Sequence, residues 1–313
     1  VFIVSMVLNA VIPIFALILL GFIVARRHIL PPEATSHLNL YIVWLALPAL
    51  MFQVVTTTPW DELYQPEFFL GAFLPMLILY FAYLLWQKKS VHRSDRSINC
   101  VTISYSNTGY MGLPLCGLVF GPESTTPVVL TMIMTICFLF AITLAISEFS
   151  LQEEPSVAKA LKKTIVTLLR NPLVIAPILG LVISILGIGL PKPVQQFTSM
   201  LSASASPCAL VCIGLFIGHT KNKKFHPELF TQLWLKLLAL PALTSIFVFF
   251  IFTDMPLLYK QAAILLAALP TGTGPFMLAV LFKRESDLTS QTIFISTVIS
   301  LATVSALVMM FGL

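Results

Sequence analysis

The chain has 313 residues, 58% of them hydrophobic and 10% charged, with a mean hydropathy of +0.96. A soluble domain carries about 25% charged residues, so the composition excludes a water-soluble globular protein and leaves an integral membrane protein with many spans of about 20 residues. The net charge of +5 is spread over short loops, which excludes a nucleic-acid-binding face and marks the charge as a topology signal.

Apolar runs bounded by charges or turn residues predict ten transmembrane helices, at 2–25, 38–55, 68–86, 97–120, 126–147, 166–189, 198–218, 229–252, 259–282 and 290–312. No basic stretch precedes the first run, and Arg26-Arg27 follows it, so it reads as a retained span rather than a leader. Alternate loops carry Arg26/Arg27, Lys88/Lys89/Arg93/Arg96, Lys159/Lys162/Lys163/Arg170, Lys221/Lys223/Lys224 and Lys283/Arg284. The opposite loops hold only Lys192 and Lys260, beside Asp61, Glu62, Glu67, Glu123 and Asp254; Lys236 lies just inside span eight. An excess of Lys and Arg marks the cytoplasmic side, so both termini are expected outside. The five cysteines sit in or beside apolar runs, without the spacing of a zinc site or disulfide framework.

Helix breakers recur at a near-constant offset. Pro13 and Pro172 are 159 residues apart, Pro48 and Pro207 also 159, and Pro114 and Pro275 161. Five spans in each half is an odd number, so the second half enters the membrane from the opposite face. That is an inverted repeat, a recurring plan of secondary transporters. Residues 1–147 form the first five-helix repeat, 148–165 a short cytoplasmic linker and 166–313 the second repeat. Spans three and eight match poorly, and chance pairing among 21 prolines is the alternative.

Spans four and nine carry the most informative residues. One reads Ser104-Tyr-Ser-Asn-Thr-Gly-Tyr-Met-Gly-Leu-Pro114, the other Ala268-Leu-Pro-Thr-Gly-Thr-Gly-Pro275. Prolines and glycines at mid-membrane loosen the helix, and irregular backbone at that depth must be buried in protein or line a wet cavity. Proline suits a first helical turn, so Pro114 and Pro275 are expected to open second half-helices whose N–H groups attract an anion. Crossing at the midplane, the two breaks would offer Asn107, Thr108, Gly109, Thr271, Gly272 and Thr273 to a carboxylate. A pair of proline kinks lined with small packing residues is the alternative. The hydroxyls of span ten, Ser296, Thr297, Ser300, Thr303 and Ser305, read as helix-packing glue.

No Asp, Glu or His falls mid-span, and Glu148, Asp95 and Lys236 are read as span-end residues. That argues against a carboxylate-based proton relay, while sodium held by carbonyls and hydroxyls stays open. An anion leaving a negative-inside cell gains about 2.3 kcal/mol per charge per 100 mV, so uncoupled, electrogenic transport would favour efflux.

Four motifs in order resemble the auxin efflux carrier family over essentially the whole chain: Leu45-Ala-Leu-Pro-Ala-Leu-Met-Phe52, Ser106-Asn-Thr-Gly-Tyr-Met-Gly-Leu-Pro-Leu115, Arg170-Asn-Pro172 and Ala267-Ala-Leu-Pro-Thr-Gly-Thr-Gly-Pro-Phe276. The resemblance implies an all-α, ten-helix inverted-repeat fold like that of sodium/proton antiporters and bile-acid transporters. It also implies a scaffold and a transport domain, crossing broken helices four and nine, and often a homodimer. Family substrates are organic anions: auxin in plants, malonate or malate in bacterial relatives. By position, Asn107 matches the substrate-contacting asparagine, and Pro114 and Pro275 the crossover prolines. The short linker departs from the plant members and suggests a prokaryotic inner-membrane carrier. Span nine also departs, with Thr271-Gly-Thr-Gly before its proline, so its contacts rest on the residue reading alone.

The expected partners are therefore a small organic anion and the lipid bilayer, without cofactor, metal or nucleic acid. A channel would need a continuous polar lining, and a receptor an extramembrane domain. An intramembrane hydrolase would need mid-span Asp or His partners. Sodium- or proton-coupled carboxylate symport remains the alternative transport mode.

Overall fold

A lipid setting leaves helices and closed barrels as the ways to satisfy a spanning backbone. The computed structural model describes residues 2–59, 63–152, 156–219, 225–284 and 287–311, with side chains from Ile12 onward, and every regular element among them is a helix. Asp61, Glu62 and the Lys221/Lys223/Lys224 cluster lie outside the described residues. In chain order the helices are α1 (Phe2–Arg26), α2 (Pro32–Thr57), α3 (Pro66–Trp86), α4 (Arg93–Ser104) and α5 (Thr108–Phe120). Then come α6 (Pro122–Ser150), α7 (Val157–Leu169), α8 (Pro172–Ile185) and α9 (Lys192–His219). The last are α10 (Leu229–Ile251), α11 (Leu257–Ala268), α12 (Gly274–Leu281) and α13 (Asp287–Met310).

Among the described residues, α2, α3, α6, α9, α10 and α13 are long and apolar enough to cross a membrane; α7 and α8 together make a seventh if their 70° bend is counted as one span. Leu85, Trp86, Met200, Phe230, Phe250 and Met310 point outward and are largely exposed. So much outward apolar surface is a hazard in water and the ordinary state in lipid. The protein is a multi-pass membrane protein.

The sixth span does not begin at 166. The chain breaks at Arg170-Asn171, where Asn171 Oδ1 accepts the Leu173 N–H at 2.9 Å and Pro172 takes the first turn of α8. A cap followed by proline starts a new helix. The preceding α7 exposes Lys159, Lys162 and Lys163 together with an apolar stripe of Val157, Leu161, Ile165 and Leu169, the pattern of a helix lying in the membrane interface.

Three helices widen to π geometry just before a proline. Ile42–Ala46 precedes Pro48, Thr108–Gly112 precedes Pro114, and Leu235–Ala239 precedes Pro241. Proline lacks an N–H and crowds the carbonyl four residues back; a wider turn moves that carbonyl aside and the helix continues. Pro114 is therefore carried inside α5, and the expectation that it opens a half-helix is corrected: that helix opens at Thr108. Pro275 does open α12, as its second residue. The equally spaced Pro13 and Pro172 play different local roles, one inside α1 and the other opening α8.

The helices pack in two groups. α1 lies along α9, and α2 packs on α8 and α9, around Ile14, Ile42, Met51 and Ile213. α3, α4, α10, α11 and α12, with part of α6, enclose a second apolar core of Phe68, Tyr80, Ile103 and Leu240. The α1–α9 contact is backbone to backbone: a Cβ on Gly214 would lie 2.0 Å from Ile18 O, and one on Gly21 2.2 Å from Val211 O. Gly214 and Gly218 form a GxxxG pair, and membrane helices use such small residues to approach closely. Gly117, on α5, faces open space. Gly214→Val should therefore destabilise the protein by roughly 1–3 kcal/mol, seen as a lower melting temperature in detergent, while Gly117→Ala should cause no loss.

Candidate functional site

Between α4 and α5 the chain is non-helical from Tyr105 to Asn107, and between α11 and α12 from Leu269 to Thr273. Each break frees backbone groups that lipid cannot satisfy, and the breaks satisfy each other. Ser106 and Thr271 form an antiparallel bridge. The Asn107 N–H donates to Pro270 O at 2.9 Å, and the Gly272 N–H to Tyr105 O at 3.1 Å. Thr271 completes the joint, its hydroxyl donating to Thr102 O at 2.9 Å and its N–H to Ser296 Oγ at 3.2 Å. Ser296, read from sequence as packing glue, is thus an acceptor at the crossing. At the outer end of the pair, Arg284 Nε donates to Asp95 Oδ1 at 2.7 Å and its Nη2 to Oδ2, a bidentate tie between α4 and the end of α12.

Glycines let the two breaks close. A Cβ on Gly272 would meet the Tyr105 ring at 2.7 Å, and one on Gly274 would meet it at 2.9 Å. The ring lies beneath both glycines and packs against Phe140 of α6.

In front of the bridge is a cavity of about 80 Å³. One wall belongs to the crossing: Tyr105, Asn107, Thr108, Gly109, Thr273 and Gly274. The other is made by Val43 and Leu47 of α2 with Asn171 and Leu173 of α8, so the cavity lies where the two helix groups meet. α5 and α12 both begin at its wall, and first-turn N–H groups have no intrahelical partner. They bring the positive ends of two short helices to one place.

Asn107 is only 5% exposed, lines this cavity, and its side-chain amide bonds to no described residue. Buried amides are normally paired. Tyr110 OH donates to Asn39 Oδ1 at 2.8 Å, tying the crossing to α2. Of the sequence-predicted residues, Asn107, Thr108, Gly109 and Thr273 line the cavity. Thr271 and Gly272 do not, because one is committed to the bridge and the other covers Tyr105. Pro114 and Pro275 lie outside the lining.

Two residues escaped the sequence reading. Asn171 looks like a helix cap before proline, which it is; only the fold shows it facing Asn107 across the cavity. Lys236, assigned to a span end, is the eighth residue of α10, about 10 Å along it, and is fully buried. Its Nζ donates to Ser106 Oγ at 2.7 Å and to Ala267 O at 2.8 Å, directly behind the crossing. Lys236, read from sequence as a span-end residue, is thus buried against the back of the crossing.

Comparison with known proteins decides the family. Residues 6–309 match the family described as membrane transport protein. The "Putative malonate transporter" of Rhizobium meliloti is 31% identical over 95% of this chain and 93% of its own length. The chain belongs to the membrane transport protein family of the auxin-efflux-carrier type. "Uncharacterized transporter YfdV" of Escherichia coli is 23% identical over 73% of this chain and 74% of its own. "Auxin efflux carrier component 8" of Arabidopsis thaliana is 22% identical over 96% of both chains.

Because the bridge holds the breaks together, Gly272→Ala should drive the Tyr105 ring off its seat and open the joint. Amide hydrogen exchange in the peptides holding Asn107 and Gly272 should rise at least tenfold, with peptides of α1 and α9 unchanged.

Proposed function

We propose that this family member is a secondary transporter of small organic anions, carboxylates such as malonate or malate, working by alternating access. The observation that carries the reading is the buried Asn107 amide, bonded to no described residue, in a cavity where two half-helices begin. Such an arrangement offers neutral donors and positive dipole ends to a carboxylate. Asn107, Thr108, Gly109 and Thr273 contact the substrate from the crossing, Asn171 faces them from α8, and Thr271 and Gly272 hold the joint in shape. Size favours a short anion: an engineered apolar cavity of about 150 Å³ takes benzene, and this one is about 80 Å³.

In this reading α1, α2, α8 and α9 are the stationary scaffold, and the crossing group rocks against them. The chain crosses ten times as a 5+5 inverted repeat, 1–147 and 166–313, with 148–165 as linker. The six long helices, α1, α8 and the broken pairs α4/α5 and α11/α12 make up that count. The basic loops put both termini outside the cytoplasm of a bacterial inner membrane. The transported charge makes the cycle electrogenic, and the protein performs no chemistry on its substrate.

The test is current recorded from proteoliposomes on a solid-supported membrane, pulsed with malonate, malate, lactate and indole-3-acetate. A saturable current for a short carboxylate is expected. A hydrogen bond to a charged group is worth about 1.5–3 kcal/mol, so Asn107→Ala should raise the half-saturating concentration roughly 10- to 100-fold. Silence toward every carboxylate, in currents and in radiolabel uptake alike, would sink the reading.

A further inference from the structure

Lys236 has no part in the anion site just described, yet it is the costliest side chain to bury in this fold. It is fully buried, and among the described residues no carboxylate pairs with it; Glu148 is taken by Lys163 and Asp95 by Arg284. Oxygens of two crossing elements hold the ammonium instead. Ala267 lies in the last turn of α11, where carbonyls lack helical donors. The N–H four residues on, that of Thr271, goes to Ser296 Oγ. The orphaned Ala267 O takes Lys236 Nζ at 2.8 Å, with Ser106 Oγ at 3.4 Å from the same oxygen and 2.7 Å from Nζ.

A half-helix C-terminal carbonyl beside a hydroxyl is the donor set on which broken-helix carriers seat a monovalent coupling cation. It lies at the negative end of the α11 dipole. An apolar side chain of equal length would fill the same space without the desolvation cost, so packing alone does not explain an ammonium there. Ser106 sits between Tyr105 and Asn107, which line the cavity; the charge therefore stands one residue behind the anion site.

We infer that Lys236 is a tethered cation. Its ε-amino group occupies the place at the crossing where an exchangeable monovalent cation would otherwise bind. It is a positioning residue that fixes Ser106 and the end of α11 and lends the crossing a positive charge. Transport is accordingly independent of sodium. That last consequence rests on the anion-carrier reading, whereas the occupancy of the cation seat does not.

Two readouts keep the claims apart. Thermal stability of purified protein needs no anion, and carboxylate current in proteoliposomes tests the consequence. Wild type, Lys236→Ala and Lys236→Met are compared in choline buffer with added sodium, propylammonium or 1-propanol. Propylammonium replaces the atoms that the alanine variant lacks, and propanol is its neutral counterpart. Wild type should be equally stable and equally active in sodium and choline. Lys236→Ala should melt lower, regain stability saturably with propylammonium but not with propanol, and recover at least fivefold of a current reduced more than tenfold. Lys236→Met should fold and stay below a tenth of wild-type current in every buffer.

Saturable stabilisation of wild type by sodium would overturn the inference. So would wild-type current from Lys236→Met, or rescue by propanol equal to that by propylammonium. If Lys236→Ala cannot be purified, the methionine variant and the sodium exchange on wild type still decide. A wild type silent toward carboxylates would remove the transport reading and leave the stability result to stand or fall alone.

Discussion

Inside a bilayer a peptide group with no partner costs several kcal/mol, and a helix broken at mid-depth exposes several at once. Two breaks set side by side in antiparallel register solve this together. Pro270 O and Tyr105 O receive N–H groups across the joint, and the Thr271 N–H is taken by Ser296. Neither break is viable alone, so the crossing couples α4/α5 to α11/α12 as one body. Proline fits this role because it supplies an acceptor carbonyl without an N–H of its own to satisfy. The glycines fit because the Tyr105 ring occupies the space a Cβ would need.

The same constraint puts the polar cavity where it is. Its crossing wall is rigid, pinned by the bridge, the buried Thr102–Thr271 contact and the outer Arg284–Asp95 tie. Its opposite wall belongs to helices held by a different device, the backbone approach of α1 to α9 at Gly21, Gly214 and Gly218. On the alternating-access proposal, the two groups slide along the seam that holds the polar pocket without unfolding. Helix packing in lipid lacks a hydrophobic drive, and the close glycine contacts hold α1 against α9 instead. Tyr110 is the main polar bond across that seam, through Asn39 of α2.

Much of this was legible in the chain. The apolar runs, the paired Gly/Pro segments at spans four and nine, and Asn107 all follow from what lipid forbids to an unpaired backbone. Local geometry was harder. Pro114 looks like a helix start, yet a π turn absorbs it, because a widened turn costs less than an open backbone at that depth. Thr271 looks like a ligand residue of the same kind as Thr273, but Thr271 lies in the bridge with its hydroxyl and N–H committed to Thr102 and Ser296, whereas Thr273 takes the N-cap position of α12 at the cavity wall. Lys236 was misread for a different reason. Distance from a loop along the sequence suggests a snorkelling end residue, and nothing in one helix reveals that its partner oxygens come from elements 130 and 31 residues away.

The charges around the crossing have one sign. Two helix N-termini face the cavity, the Lys236 amine, inferred above to be charged, lies behind it, and among the described residues no carboxylate lines either. On the anion-carrier proposal, such a site favours an anion over a cation before any contact chooses the substrate. It also assigns the work of the membrane potential. If the crossing group moves as a unit, Lys236 moves with it, and the empty carrier bears a positive charge through the part of the field it crosses. A dianion such as malonate or malate reverses that charge on loading, whereas a monoanion neutralises it. The potential, worth about 2.3 kcal/mol per charge per 100 mV, then acts on the empty return, and on the loaded step only where a dianion is carried. On the proposed cycle a negative interior draws the empty site inward, where it meets cytoplasmic anion, and the loaded complex, neutral or negative, returns outward without electrical cost. If Lys236 is the tethered cation inferred above, it biases the proposed anion carrier toward export without any ion having to bind and leave.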